Sequence, residues 1–380
     1  MTWERPALER QLLAAIEASP PRIPVLVGAS GTGRSAALFR LRDQIGRQAC
    51  QYVDVERIAT TPERFLEALC AASPFGAPAA TVRGGARDAF DAALAYLTDA
   101  RAPGGAPATF LLDEILELRT FESFPGLRNA MRDLLAALAG STNRYVLASR
   151  YTARVQRLLR DAPPCFEIVA VPPLAPAEAR AALAGRDTPR LSDEVAAAIH
   201  ALADGRAGYV RALGEAVAAM QGPPDPVAAL AALLAPDGRL YAACRFAYEL
   251  RLHRARGYGA LKAILAVLAD EEPLTLTEIA HRLRRTPGST KDYLSWLEDV
   301  DLVAVREKKY RFADPILRLW VRLHCRPAPP ADEDISREVH AYALARLPRG
   351  APPTPEPALA MAGAPADGED RKPWGIIEID

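Results

Sequence analysis

No stretch of this chain stays apolar long enough to cross a bilayer, because charged residues interrupt every hydrophobic run, the N-terminal one included. The expectation is a cytoplasmic protein with neither a membrane span nor a signal-peptide pattern. Cysteine is sparse: the five (Cys50, Cys70, Cys165, Cys244, Cys325) are odd in number, scattered and without metal-ligand spacing. That argues against a disulfide framework and fits a reducing compartment with buried thiols. An excess of either charge is also missing. With 47 basic and 47 acidic residues the formal net charge is +0, so any contact with nucleic acid has to come from a local basic patch. What remains is ordinary globular composition, 50% hydrophobic and 25% charged over 380 residues, enough for two or three domains. Alanine is abundant, and Ala-rich helices blunt periodicity arguments throughout.

Against that plain background one stretch stands out: residues 25–35, Val-Leu-Val-Gly-Ala-Ser-Gly-Thr-Gly-Arg-Ser. The apolar run before it reads as a buried strand, and a helix opens near Ser35. Gly28, Gly31 and Gly33, with Ser30 and Thr32 between them, let the backbone curl until its N–H groups converge as a phosphate nest. The helix adds its positive dipole end. Against the phosphate-loop pattern G-x-x-x-x-G-K-[ST] the match is Gly28, Gly33 and Ser35, with Arg34 where lysine is expected. Arginine keeps a permanent cation there, but its planar fork does not reproduce a compact ammonium. ATP binding is therefore expected ahead of fast hydrolysis. The bland alternative is an ordinary Gly-rich strand-to-helix turn.

Two later strands carry the partners such a loop needs. Residues 108–114, Ala-Thr-Phe-Leu-Leu-Asp-Glu, form an apolar strand ending in paired acids. Asp113 is expected to hold Mg²⁺ beside Ser35, and Glu114 to polarise the attacking water, both at the carboxyl edge of a parallel sheet. Residues 145–150, Tyr-Val-Leu-Ala-Ser-Arg, read as another buried strand whose end should lie beside those acids. Ser149 or Arg150 would then sense the γ-phosphate; the alternative is a solvated strand end.

The remaining chain reads in order as a helix at 7–18, a strand at 50–58, helices at 62–71, 88–97 and 127–139 around a loop at 75–87, and a strand at 166–171. Residues 176–220 carry helices only, with a capping-box pattern at Ser192. There Arg206 or Arg211 would reach the nucleotide or simply cap a helix. Helices at 261–268, 277–283 and 289–302, followed by an alternating hairpin at 303–312, predict a winged helix-turn-helix. Its candidate contacts to double-stranded DNA are Arg282, Arg284, Arg285, Ser289, Thr290 and Lys291 near the third helix, and Lys308, Lys309 and Arg311 on the wing. A protein-docking role for the same unit is the alternative. Past 326 the chain is Pro/Ala-rich, with one helical possibility at 335–347 and expected disorder at 348–370. It ends in Arg371-Lys-Pro-Trp-Gly-Ile-Ile-Glu-Ile-Asp380, suited to pairing with a sheet edge of a protein partner. The expected division is 1–173 core, 174–225 helical lid, 226–326 linker helix and winged helix, 327–370 linker and 371–380 docking peptide.

Over roughly residues 3–325 this assembly resembles the archaeal-type ATPases of the STAND class, relatives of AAA+ proteins. The resemblance rests on the phosphate loop, Phe110-Leu-Leu-Asp-Glu114, Val146-Leu-Ala-Ser-Arg150, the lid, and the winged helix. The run Phe312-Ala-Asp-Pro-Ile-Leu-Arg-Leu-Trp320 is similar to the Asp-Pro…Trp segment that follows the wing in that family. It implies an α/β P-loop NTPase core with a parallel sheet, followed by a helical lid and a winged helix. It also implies an ATP- and Mg²⁺-dependent switch, often working as a homo-oligomer, with Arg150 similar to the sensor arginine. This chain differs from the family at Arg34, and at Gly205-Arg-Ala-Gly where relatives carry Gly-x-Pro. A nucleotide-bound, non-hydrolysing interaction scaffold is the competing expectation.

Overall fold

A computed structural model describes residues 5–75, 84–184, 191–253 and 257–347. The chain divides into two units, Met1–Leu347 and Pro348–Asp380, and every described residue belongs to the first. The stretches expected as disorder (348–370) and as docking peptide (371–380), and most of the loop at 75–87, lie outside the described residues.

The N-terminal half runs α1 (Pro6–Glu17), β1 (Ile23–Val27), α2 (Arg34–Ile45), β2 (Cys50–Asp54), a single turn α3 (Val55–Ile58), α4 (Pro62–Ala71), α5 (Ala86–Asp99), β3 (Thr109–Asp113), a 3-10 run (Ile115–Ser123), α6 (Ala130–Gly140), β4 (Arg144–Ser149), α7 (Thr152–Leu158) and β5 (Phe166–Ala170). The five strands form one parallel sheet in the order β2-β3-β4-β1-β5. β1 and β3 are buried at every residue because helices cover both faces, which is why they read as unbroken apolar runs. Alternate side chains still separate. Val25, Val27, Phe110 and Leu112 pack with α4 to α7, while Leu26, Leu111, Val146 and Ala148 pack with α1 and α2.

The strand expected at 50–58 stops at Asp54. Its carboxylate accepts the Arg57 N–H at 3.3 Å, and this cap turns the next four residues into α3. The 3-10 run after the paired acids carries no helical period strong enough to be read from sequence.

The second half contains α8 (Pro176–Leu183), α9 (Asp193–Leu202), α10 (Ala207–Ala218), α11 (Pro226–Leu234), α12 (Arg239–His253), α13 (Tyr258–Asp270), β6 (Leu274–Thr275), α14 (Leu276–Arg282), α15 (Pro287–Asp299), β7 (Val303–Arg306), β8 (Lys309–Phe312), α16 (Pro315–His324) and α17 (Asp332–Leu344). β6, β8 and β7 make a small antiparallel sheet; β6, two residues long, is too short to show a period. The β7–β8 turn uses Glu307 and Lys308 at φ 53° and 62°, the paired left-handed conformation that matches the twist of a hairpin. One apolar cluster runs from Leu174 through Trp320 to Ala343. It includes Ile335, Val339 and Ala343 of α17, so this part of the stretch expected as linker is a packed helix. Among the described residues no single helix is long and apolar enough to cross a membrane.

Candidate functional site

The sheet register assembles the site. Val27 lies opposite Ser149, Leu112 opposite Leu147 and Asp54 opposite Asp113, so the carboxyl ends of four neighbouring strands finish at nearly one level. The phosphate-loop segment, the paired acids and the Ser149–Arg150 pair leave the sheet there, side by side. Gly31 and Gly33 take φ of 81° and 94°, which an L side chain adopts only with strain, and Gly33 caps α2. Gly28 is held close by its neighbours: a Cβ there would stand 2.9 Å from the Thr32 hydroxyl and 3.2 Å from Val171. The Thr32 hydroxyl donates to Ala29 O at 2.8 Å, closing the loop on itself.

Ser35 and Asp113, 78 positions apart, meet through Ser35 Oγ donating to Asp113 Oδ2 at 2.6 Å. The Tyr52 hydroxyl donates to the same oxygen at 3.0 Å. Burial, reinforced by Asp113, pushes the Tyr52 phenol well above its ordinary range and keeps it a donor. These oxygens fit magnesium, which favours one or two protein oxygens and retains water and phosphate as its other ligands. Arg34 and Glu114 form a second pair at 2.6 Å, their side chains each only 8% exposed. Arg150 reaches the same carboxylate, with its backbone N–H on Oε2 and its guanidinium 3.1 Å from Oε1. Its far end pairs with Glu56. Burial works against the Arg150 charge, but Glu114 and Glu56 outweigh it and hold the guanidinium protonated. Ser149 is fully buried, and its hydroxyl accepts the Tyr151 N–H at 3.2 Å.

Two cavities flank the loop. One of about 250 Å³ is lined by Gly33, Arg34, Ser35, Ala207, Gly208 and Arg211 among others. One of about 240 Å³ lies against Ala29, Ser30 and Gly31, with Arg251, Asp301 and Asp314 on its far walls. Arg34 Nη1 and Arg211 Nε are buried without a hydrogen-bond partner among the described residues, two donors beside the loop that suit an anion. A larger groove, about 700 Å³, follows Tyr241, Phe246 and Leu250 of α12.

Sequence reasoning missed three supports. Arg5 donates to Pro172 O at 2.6 Å and Thr32 O at 3.0 Å, fixing the loop from outside. The Gly208 N–H donates to Gly31 O at 2.8 Å, so α10 begins directly on the loop. Asp314 caps α16 by accepting the Ile316 and Leu317 N–H groups, takes the Tyr209 hydroxyl at 2.6 Å, and lies 3.5 Å from Arg206. The aspartate of the Asp-Pro…Trp run therefore ties α16 to α10, while Trp320 packs beside Tyr241 and Tyr248.

Of the candidate DNA contacts, Arg282, Arg284, Arg285, Ser289, Lys291, Lys308, Lys309 and Arg311 are exposed. Arg282 is paired with Glu271, and Arg285 lies 5.6 Å from the Tyr293 ring centroid. Thr290 departs from expectation. It is fully buried and donates its hydroxyl to Thr286 O at 2.9 Å, so it does not face a ligand.

No protein-family profile and no curated protein sequence matches this chain. Among solved structures it superposes on a Walker-type ATPase of Pyrococcus abyssi with a TM-score of 0.66 at 17% identity, covering 84% of this chain and 96% of that one. The Orc1 protein of Aeropyrum pernix, solved in complex with DNA, aligns with a TM-score of 0.45 at 18% identity over 84% of this chain and 91% of its own. A variant of Thermotoga maritima RuvB aligns at 0.43 and 14% over 81% and 92%. At such identities the first likeness shows the fold alone, and that fold is an α/β one built on a central parallel sheet, shared with the Walker-type ATPase.

Proposed function

We propose that the protein is an ATP-binding switch of the STAND/AAA+ kind, coupling the occupancy of its phosphate loop to its C-terminal helices. The observation that carries this is the 2.6 Å contact of Ser35 with Asp113 beneath a left-handed glycine loop, with the unpartnered Arg34 and Arg211 nitrogens beside it. ATP would lie over the N-terminus of α2, held by the loop N–H groups of Gly28 to Ser35 and by Arg34 and Arg211. Magnesium, shared between Ser35 and Asp113, would neutralise phosphate charge. In this reading residues 1–173 are the core, 174–225 the lid, and 226–326 the linker helix with a winged helix. Gly208, seated on Gly31, lets the lid respond to the loop.

Turnover in this account is slow. Glu114, the residue assigned to orient water, is held between Arg34 and Arg150. Those same contacts favour the second reading, a nucleotide-bound scaffold that never hydrolyses ATP. Steady phosphate release from the purified chain, abolished in Glu114→Gln, separates the two in favour of the switch. The parent claim is tested by titration calorimetry: Gly33→Val, which forces a β-branched residue into a left-handed position, and Asp113→Ala should each weaken ATP binding at least about tenfold. Unchanged affinity in both would end the nucleotide reading.

The exposed Arg284, Arg285, Lys291, Lys308, Lys309 and Arg311 support duplex DNA as a partner of the winged helix. Binding would weaken as salt rises, and neutralising Arg284, Arg285 and Lys309 together should lower the salt slope by about three. If salt-dependent binding persists unaltered, the unit contacts proteins instead.

A further inference from the structure

α16 carries Arg318 and Arg322 one turn apart, so two cations share one stripe of the helix. α17 packs against α16, and a cavity of about 320 Å³ is lined by residues of both. Its walls include the two arginines, Glu338 and Tyr342 of α17, and Arg346 just past the end of α17. Leu319, Ala341 and Ala345 supply much of its apolar lining.

The cations there outnumber the carboxylates that answer them. Arg318 spends its guanidinium on the end of α13, with Nε donating to Ala269 O at 3.1 Å and lying 3.4 Å from Glu272. Asp270, also at that end, pairs with Arg326 at 3.6 Å. Arg322 Nη2 pairs with Glu338 at 2.9 Å, but its Nε is buried with no hydrogen-bond partner among the described residues. Arg346 makes no ion pair among the described residues, and its guanidinium lies 4.4 Å from the Tyr342 ring centroid. Burial lowers the Arg318 pKa; Glu272 opposes this, and the nearness of Arg322 and Arg346 adds to it. Three guanidinium groups thus stand close enough to repel one another, with one of them unpaired. A buried donor without an acceptor is costly, and a bound anion is one way to satisfy it.

The shape of the cavity narrows the ligand. The Tyr342 hydroxyl donates to Leu202 O at 2.8 Å, which fixes the ring on the cavity wall. A fixed ring beside Leu319, Ala341 and Ala345 suits a carbon skeleton more than a bare ion. The spare donors come from two elements, Arg322 on α16 and Arg346 after α17. A carboxylate presents two oxygens in one plane, which suits a single arginine fork, whereas the oxygens of a phosphate monoester spread tetrahedrally and can meet donors from both sides.

We propose that the cavity between α16 and α17 binds a small organic phosphate, its phosphate held by Arg322 and Arg346 and its carbon skeleton laid on the Tyr342, Leu319 and Ala345 wall. Arg318 contributes charge rather than a bond. The site shares no residue with the phosphate loop and does not depend on the nucleotide reading.

Phenyl phosphate is the probe, titrated calorimetrically into the full chain. It should bind the wild type more tightly than inorganic phosphate does. Arg346→Gln should weaken it at least about tenfold, the cost of one charge-assisted hydrogen bond. Ala345→Leu, which fills the cavity and leaves every charge in place, should weaken it as well, whereas Gly33→Val in the phosphate loop should leave this binding unchanged. Equal affinity in the wild type and Arg346→Gln would overturn the proposal, as would a loss confined to Gly33→Val, which would put the anion on the phosphate loop. A wild type that takes no phenyl phosphate would overturn it too; if Arg346→Gln then lowers affinity for a short DNA duplex, the arginines serve a nucleic-acid backbone instead. Should Arg346→Gln fold poorly, Ala345→Leu decides by the same titration.

Discussion

Arg34 and Arg150 approach Glu114 from two different elements, the start of α2 and the end of β4. A compact lysine at 34 would carry the same charge without the fork that pairs with Glu114 and leaves Nη1 without a partner among the described residues. The first 261 residues contain no lysine at all, so the loop cation is arginine here as everywhere in this half of the chain. Removing it leaves Glu114 buried and short of one partner. Arg34→Ala should lower unfolding stability by about 3–5 kcal/mol, the usual cost of breaking a buried pair from one side, read from urea titrations. Arg34→Lys should cost far less, loosen the hold on Glu114 and raise the rate of phosphate release; a rate at or below wild type would show that Glu114 is not restrained by this contact.

At the scale of elements, a single glycine sets how closely α10 approaches the loop. A Cβ on Gly208 would stand 3.3 Å from the Gly31 Cα and 3.3 Å from its carbonyl oxygen, both backbone atoms with little room to move. Gly208→Ala should push α10 outward and weaken ATP binding several-fold, a loss of roughly 1 kcal/mol, with the 2.8 Å Gly208–Gly31 hydrogen bond exchanging faster with deuterium. Sequence alone made the elements legible where one pattern dominated: the apolar runs of β1, β3 and β4, the glycine loop, and the alternation of β7 and β8. It was silent where tertiary contact decides. Asp54 ends β2 through a side-chain cap, α17 is helical enough to predict but needs Ile335, Val339 and Ala343 on a neighbour to show that it packs, and Thr290 is turned inward by its bond to Thr286. Within the site, the loop and the acids were readable from spacing. Arg5, Gly208 and Asp314 were not, because each acts on residues far away in the chain.

Across the whole described unit, acid–base behaviour offers a check on the junction between the core and the C-terminal elements. Burial holds the Asp301 carboxyl at about 6 when folded, above the 3.8 of a free aspartate. A raised carboxyl favours folding in its protonated form, so its contribution is full below about pH 4 and is lost as pH rises through 6. Asp301→Asn should therefore be more stable than wild type at pH 8, by on the order of 1–3 kcal/mol, with the gap closing toward pH 4. Equal thermal midpoints at pH 8 would mean that this carboxylate is well solvated. The central claim, a nucleotide over the start of α2, is tested most directly by a crystal structure with magnesium and a non-hydrolysable ATP analogue. The account predicts the β-phosphate ringed by the N–H groups of Gly31 to Ser35 and the metal between Ser35 and Asp113. Density for the analogue anywhere else, or a loop that keeps Ser35 bonded to Asp113 with no ligand at saturating analogue, would contradict it.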